Sequence, residues 1–86
     1  MNWIDRNYKA TQRRGLITES TSNQEFIDKI QEEVNELDLA FLNQDNFNIE
    51  EEMADIIITV ANFAKHLGID IMQAIEKKTI FNENRK

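Results

Sequence analysis

The chain has 86 residues, of which 41% are hydrophobic and 30% are charged, and its formal net charge is −6 at pH 7. It contains no cysteine and no proline, which excludes disulfides and thiolate zinc sites and leaves long helices unobstructed. The negative charge makes a nucleic-acid polymer a poor partner, because such binding depends on many Lys and Arg contacts. We therefore expect one small all-α domain that gains stability by oligomerisation.

The sequence gives no indication of a membrane partner or of secretion. No apolar run approaches the roughly 20 residues that a membrane-spanning helix needs. The first six residues, Met1 to Arg6, lack the apolar centre of a secretory signal. A cytoplasmic protein is the simplest prediction.

Residues 1–20 are the least regular part and are predicted to form an N-terminal arm or a short helix. Trp3 and Tyr8 have a spacing that allows a helix, and Gly15 is expected to end it. The segment is rich in positive charge, from Arg6, Lys9, Arg13 and Arg14. Two interpretations stay open. The segment either packs on the domain through its aromatic residues or faces the substrate, with Trp3 or Tyr8 against a base and arginines toward phosphates.

Three helices are predicted in residues 21–86. The first begins at Ser22, whose hydroxyl can form a capping box with Glu25, and ends near Leu42. Its apolar residues recur at three- and four-residue steps: Phe26, Ile27, Ile30, Val34, Leu37 and Phe41. The second is predicted to start with a capping box between Asn48 and Glu51 and to stop at Gly68. Asp70 and Gln73 cap the third.

The second helix is apolar on most of its faces, and such a helix is usually buried on most of them. A chain of 86 residues cannot bury it alone. The predicted architecture is an antiparallel helical hairpin plus a C-terminal helix, in which oligomerisation completes a four-helix-bundle core.

Two pairs of carboxylates lie three residues apart, Glu33 with Glu36 and Glu52 with Asp55. Residues at this spacing are neighbours on a helix surface, and the two pairs fall on similar flanks of their apolar stripes. Antiparallel packing would bring them to one height. Four carboxylates converging there would suit Mg²⁺, or Mn²⁺, rather than Zn²⁺. The alternative is that these charges are simply solvated. Viewed down the helix axis, Lys29 lies between the directions of Glu33 and Glu36. It is either a phosphate contact or a structural counter-ion.

His66 is the only histidine. It follows Asp55 by eleven residues, about 16 Å along a helix, which is too far to share a metal with the acidic residues. A role at the C-terminal end of its helix is therefore predicted.

These acidic residues resemble the signature of the MazG-like, all-α nucleoside triphosphate pyrophosphohydrolase superfamily. Its E-E-x-x-E motif is matched by Glu32-Glu33-Val34-Asn35-Glu36, and its E-x-x-D motif by Glu52-Met53-Ala54-Asp55 after fifteen intervening residues. Lys78-x-x-x-Asn82-x-x-Arg85 is similar to the K-x-x-x-N-x-x-R ending of the family. Arg14-Gly15-Leu16-Ile17 is similar to a stretch in small phage and bacterial members.

The resemblance implies Mg²⁺-dependent hydrolysis of a (deoxy)nucleoside triphosphate to the monophosphate and pyrophosphate, in keeping with clearance of unwanted nucleotides. It implies four metal ligands: Glu33, Glu36, Glu52 and Asp55. Glu32 and Glu33 are then the catalytic candidates. Glu32 would support the metal ligands, bind from a neighbouring metal position, or accept the proton of the attacking water.

The same resemblance implies a substrate-binding role for the C-terminal helix. Lys78 and Arg85 would contact phosphates, and Asn82 the sugar or the base, from the same chain or across a subunit interface. A homodimer or a tetramer is expected.

Two alternatives stay open at this point. One is a non-catalytic helical binding or regulatory module that keeps the acidic metal site. The other is a specialised relative acting on dUTP or dCTP, or on phosphoribosyl-ATP. The sequence does not choose a base.

Overall fold

The computed structural model describes residues 2–85, and these form four α-helices and no strand. They are α1 (Trp3–Arg13), α2 (Asn23–Leu42), α3 (Asn46–His66) and α4 (Ile71–Glu83). The all-α prediction is confirmed. Residues 1 and 86, the outer ends of the predicted segments 1–20 and 21–86, lie outside the described residues. Between residues 2 and 85, no helix combines the length and hydrophobicity that a transmembrane segment requires.

Local side-chain chemistry fixes the start of α2 and of α4 as predicted. The Ser22 hydroxyl accepts a hydrogen bond from the Glu25 N–H (3.1 Å), and the Glu25 carboxylate accepts one from the Ser22 N–H (2.8 Å). The Asp70 carboxylate likewise accepts from the Gln73 N–H at 3.1 Å. Each cap satisfies backbone donors that have no partner inside the helix.

The prediction for the start of α3 was wrong. The N-cap is Asp45, not Asn48, and the helix begins at Asn46. One Asp45 carboxylate oxygen accepts from the Asn48 N–H (3.2 Å) and the other from the Asn48 side-chain amide (2.6 Å). The backbone of Gln44 is left-handed (φ 51°), and this turns the chain within residues 43–45. The loop is therefore shorter than the predicted loop 43–47, and Asn48 serves as a donor to the cap.

Helices α2 and α3 form an antiparallel hairpin. The ring of Phe26, early in α2, stacks on that of Phe63, late in α3, with centroids 4.9 Å apart. Glu33 approaches Glu52 in the other half of the hairpin. This register brings the two acidic motifs together.

The face of α2 that packs on α3 is rotated from the predicted apolar stripe. Phe26, Glu33 and Ala40, seven residues apart, are buried, whereas Val34 and Phe41 are 44% and 54% exposed. These two sets differ in direction by about 100° around the helix axis. Glu33 was predicted at the edge of the apolar seam, and it lies instead in the middle of the face that meets α3.

Small residues explain the rotation on the α3 side. Its buried residues are Ala61, Asn62 and Ala64, while Met53 and Ile57 are 46% and 60% exposed. Alanines at a contact allow close approach of neighbouring helices, since interaxial distance follows side-chain size. The larger apolar residues consequently form an outward stripe.

His66, the last residue of α3, connects three parts of the chain. Its Nε2 lies 3.0 Å from the Thr21 carbonyl oxygen, and its Nδ1 lies 3.0 Å from the Tyr8 hydroxyl. Because the carbonyl can only accept, Nε2 is the donor, and in the neutral ring Nδ1 accepts from the Tyr8 O–H. A Lys65–Asp5 ion pair at 2.8 Å also joins α1 to α3. These contacts hold α1 and the connection 14–22 against the hairpin.

Candidate active site

Three of the predicted carboxylates converge where α2 faces α3. Glu33 and Glu36 lie one turn apart on α2, and Glu52 reaches them from α3; one oxygen of each lies within 4.8 Å of the others. All three offer oxygen atoms only, the ligand type that Mg²⁺ and Mn²⁺ prefer. Their spacing on one helix and the antiparallel register together produce this cluster.

Two oxygens of the cluster have no hydrogen-bond partner. Glu33 is buried (6% exposed) and Glu52 is half-buried. Within residues 2–85, no group hydrogen-bonds to Oε2 of Glu33 or to Oε2 of Glu52. A buried anionic oxygen without a donor is costly. The cluster therefore needs either a proton or a cation, and a divalent metal fits it.

The pKa values show how the metal-free cluster accommodates its charge. Two ionised carboxylates cannot hydrogen-bond to each other, but a protonated Glu52 can donate to Glu33. This hydrogen bond, burial, and the charges of Glu33 and Glu36 raise the pKa of Glu52 to about 7. Burial also acts to raise the pKa of Glu33, but hydrogen bonds from Glu52 and Lys29 outweigh it, and the pKa of Glu33 falls below its usual value. Glu52 thus carries the shared proton, and Glu33 carries the charge.

Lys29 lies directly beside the cluster. Its Nζ is 3.1 Å from Oε1 of Glu33 and 3.5 Å from Oε1 of Glu32. The hydrogen bond to Glu33 is the main reason why the pKa of Lys29 is raised, and burial opposes it. The Glu32 side chain is 58% exposed, so it lies on the solvent side of this pair.

Asp55 lies next to the three converging carboxylates rather than among them. It is exposed and shares with Glu33 the lining of a neighbouring cleft. The Thr59 hydroxyl donates to the Asp55 backbone carbonyl at 2.8 Å, one turn further along α3. Asp55 therefore belongs to the cleft lining together with Glu33, and it is not one of the three carboxylates that converge.

The cleft has a volume of about 620 Å³ and is large enough for a small ligand. Its walls come from the end of α1, the connection 14–22, and the facing sides of α2 and α3. Arg14 and Lys29 bring positive charge to it, and Ile17 and Phe26 bring buried apolar surface. A ligand with an anionic part and an apolar ring matches this lining.

Other predicted binding residues lie elsewhere in the single chain. Trp3 is 40% exposed, and neither it nor any α4 residue is part of the described cleft wall. On α4, Lys78 Nζ lies 4.5 Å from the Phe81 ring centroid, and Arg85 Nη1 donates to Asn82 Oδ1 at 3.1 Å. The K-x-x-x-N-x-x-R residues therefore form a local group at the C-terminal end of α4 and just beyond it.

The sequence interpretation missed two residues of the cleft, Thr11 and Asn62. Asn62 stands within the apolar run Ala61-Asn62-Phe63-Ala64, where a polar side chain must find a partner or a ligand. Asn62 could therefore have been identified from the sequence. Thr11 could not, because only the packing of α1 on α3 brings it to Asn62.

Comparison with known proteins places this arrangement in a family. The model of the MazG-like family matches residues 20–86. The match includes both acidic motifs and α4 and leaves out α1, which provides part of the cleft wall. The comparisons found no matching curated protein and no matching solved structure.

Proposed function

The chain belongs to the MazG-like family, and we propose that it is a metal-dependent hydrolase that converts a (deoxy)nucleoside triphosphate to the monophosphate and pyrophosphate. The observation that carries the proposal is the convergence of Glu33, Glu36 and Glu52, with two oxygens that no donor satisfies. A solvated surface cluster would have no such oxygens. Clearance of unwanted nucleotides and a cytoplasmic location remain predictions that accompany this proposal.

We assign Glu33, Glu36, Glu52 and Asp55 to the metal, with Mg²⁺ preferred and Mn²⁺ as the alternative. A bound Mg²⁺ supplies charge neutralisation for the triphosphate and lowers the pKa of a water molecule. Asp55 is exposed and lines the same cleft as Glu33, and in this proposal it joins the three buried or half-buried ligands when the metal binds.

The residues of the cleft bind and orient the triphosphate. Arg14 and Lys29 are the cationic side chains of its wall and attract the phosphates. The oxygen of water forms a bond to phosphorus as the α–β anhydride P–O bond breaks, and the water proton passes to a carboxylate. Glu32 and Glu33 are the candidates for that carboxylate. Positioning and charge stabilisation account for most of the catalysis in such reactions.

A second copy of the chain completes the enzyme in this proposal. The outward apolar residues of α2 and α3 lie on the same side of the hairpin, opposite the cleft: Ile27, Val34, Phe41, Met53, Ile57 and Val60. Two such hairpins packed by these faces make a four-helix bundle. The assembly is a homodimer or a tetramer, and Lys78, Asn82 and Arg85 reach a cleft only from another chain.

Hydrolysis of a panel of nucleotides tests the catalytic claim. The protein is incubated with Mg²⁺ and the common ribonucleoside and deoxynucleoside triphosphates, and pyrophosphate release is measured. Glu33→Gln and Asp55→Asn are expected to lower turnover about 100-fold or more, at least as much as the loss of a group that supports a metal ligand. The matched control is Asp38→Asn, an exposed carboxylate of α2 outside the cleft.

The outcomes separate the enzyme from its alternatives. A folded protein that binds Mg²⁺ but releases no pyrophosphate from any triphosphate would identify a non-catalytic binding module. Strong preference for dUTP or dCTP, or activity confined to phosphoribosyl-ATP, would identify a specialised pyrophosphatase. Equal loss of activity in Asp38→Asn would contradict the ligand assignment.

A further inference from the structure

Asn62 is a buried polar residue in the cleft wall that the proposed chemistry does not use. Its side chain is 6% exposed. Its Nδ2 donates to Thr11 Oγ1 at 3.4 Å, and Thr11 Oγ1 in turn donates to the Asn7 carbonyl oxygen at 2.8 Å. Its amide oxygen Oδ1 is buried and has no hydrogen-bond partner within residues 2–85.

The Thr11 hydroxyl fixes which way the Asn62 amide points. Its only proton is directed at the Asn7 carbonyl, which can only accept. Thr11 Oγ1 can therefore only accept from Asn62, and a flipped amide would set two oxygens against each other. The atom of Asn62 that has no partner is therefore the amide oxygen Oδ1, an acceptor, and only a hydrogen-bond donor can satisfy it.

The position of Asn62 relates this acceptor to a particular part of a nucleotide. Asn62 follows Asp55 by seven residues, about 10 Å along the axis of α3. It therefore lies away from the acidic end of the cleft, next in sequence to Phe63, whose ring stacks on the buried cleft residue Phe26. A triphosphate bound at the acidic end extends its nucleoside toward this end.

We propose that Asn62 determines specificity by accepting, through Oδ1, a hydrogen bond from an N–H or O–H group of the nucleoside. The inference rests on the proposed function and deepens it. Thr11 acts as a positioning residue that holds the amide. Thr11 lies outside the region matched by the family model, so a segment outside that match forms part of this end of the cleft.

The depth of Oδ1 has a consequence for binding. The oxygen is nearly inaccessible to bulk solvent, so a nucleoside reaches it only when a side chain of the wall moves aside. A nucleoside that lacks a suitable donor would leave the oxygen unsatisfied and would be rejected.

Nucleotide selectivity in Asn62→Leu tests the proposal, because leucine has a similar size and no hydrogen-bonding group. For the best substrate, KM is expected to rise about 10-fold or more. The ratios of kcat/KM among the nucleotides should move toward one, and the Mg²⁺ concentration for half-activation should stay unchanged. Asn35→Leu, an exposed position on α2 outside the cleft, is the matched control. Unchanged ratios in folded Asn62→Leu would overturn the proposal.

A second variant and a second measurement cover the other outcomes. Thr11→Val keeps the side-chain shape but frees the amide, and it should relax selectivity in the same direction by a smaller factor. Binding of the ribonucleoside and deoxynucleoside monophosphates, measured by calorimetry, does not depend on hydrolysis. Weaker binding in both variants supports the role of Asn62 even if the triphosphatase claim fails, and equal binding in wild type and Asn62→Leu refutes it. Comparing nucleotides that differ in the base with nucleotides that differ only in the sugar then identifies which nucleoside group donates to Asn62.

Discussion

The ammonium group of Lys29 lies 3.1 Å from Oε1 of Glu33. Among residues 2–85, Glu33 is the only charged residue that is buried, so its charge is balanced by a lysine one turn earlier on the same helix. A cation at the acidic cluster would approach this same carboxylate. Lys29 therefore stabilises the metal-free cluster, and in the proposed enzyme it would also contact the phosphates of a substrate in the cleft.

Replacing Lys29 by methionine should reveal both roles. In EDTA, the free energy of unfolding is expected to fall by about 1–2 kcal/mol. This loss is larger than that for breaking an exposed ion pair and smaller than that for breaking a fully buried one, because Lys29 is half exposed. Urea denaturation measures this. With Mg²⁺ the loss should shrink, because the metal takes over the balancing charge.

The kinetics of Lys29→Met separate counter-ion from phosphate contact. An increase in KM at saturating Mg²⁺ indicates phosphate binding, whereas unchanged kinetics indicate a purely structural counter-ion. Lys77→Met, exposed on α4, is the control. Unaltered stability of Lys29→Met in EDTA would show that the ion pair contributes nothing.

Stability of the metal-free protein is predicted to decrease as pH rises from about 4.5 to about 7. The pKa of Glu52 is raised from 4.5 to about 7 on folding, so within this window the folded state binds a proton that the unfolded state does not. Stability falls with pH wherever the folded state binds more protons. Glu33 acts in the opposite sense but below about pH 4.5, because its pKa is lowered.

Thermal unfolding in EDTA at several pH values checks this prediction. The melting temperature should drop between pH 5 and pH 7.5, and Glu52→Gln should remove most of the drop because its amide cannot titrate. Saturating Mg²⁺ should reverse the trend, since a metal competes with the proton for the same oxygens. A wild-type melting temperature that rises across this range in EDTA would contradict the assignment of the shared proton.

The helix start at Asp45 makes a prediction about stability. Asp45→Ala removes the acceptor for the Asn48 N–H and is expected to cost about 1 kcal/mol. Asn48→Ala removes only a side-chain donor to the same carboxylate and should cost less. Chemical denaturation of the two variants decides between them, and a larger loss in Asn48→Ala would favour the cap predicted from the sequence.

The elements of the fold were largely predictable because local chemistry determines them. The Ser22 and Asp70 caps and the left-handed backbone of Gly15 and Gly68 (φ 75° each) correspond to the expected helix boundaries. Asp45 was missed because Asn48 offers an equally suitable cap three residues later. Choosing between them depends on the turn at Gln44, whose positive φ has no strong sequence signal.

The orientation of α2 could not be predicted from its hydrophobic pattern. Val34 and Phe41 define the strongest apolar stripe, yet they face outward and Glu33 faces α3. Periodicity identifies apolar faces but does not say whether the contact is within the chain or with another chain. Of the four carboxylates predicted to converge, Glu33, Glu36 and Glu52 do so and Asp55 is not among them. Residues three apart on one helix stay neighbours whichever face of the helix meets α3.

The apolar face opposite the cleft leads to a prediction about assembly. Ile57 lies in α3 and is 60% exposed in the single chain, and in the proposed four-helix bundle it would be buried. A lysine there would have to lose its hydration without a partner, so Ile57→Lys is expected to weaken association by about 3 kcal/mol or more, about 100-fold.

Light scattering should show a dimer or tetramer for the wild type and a shift toward monomer for the variant. Asn35→Lys adds the same charge to an exposed position of α2 that lies outside the apolar stripe and should leave assembly intact. A wild type that is monomeric at micromolar concentration, with a melting temperature independent of concentration, would contradict the proposed bundle.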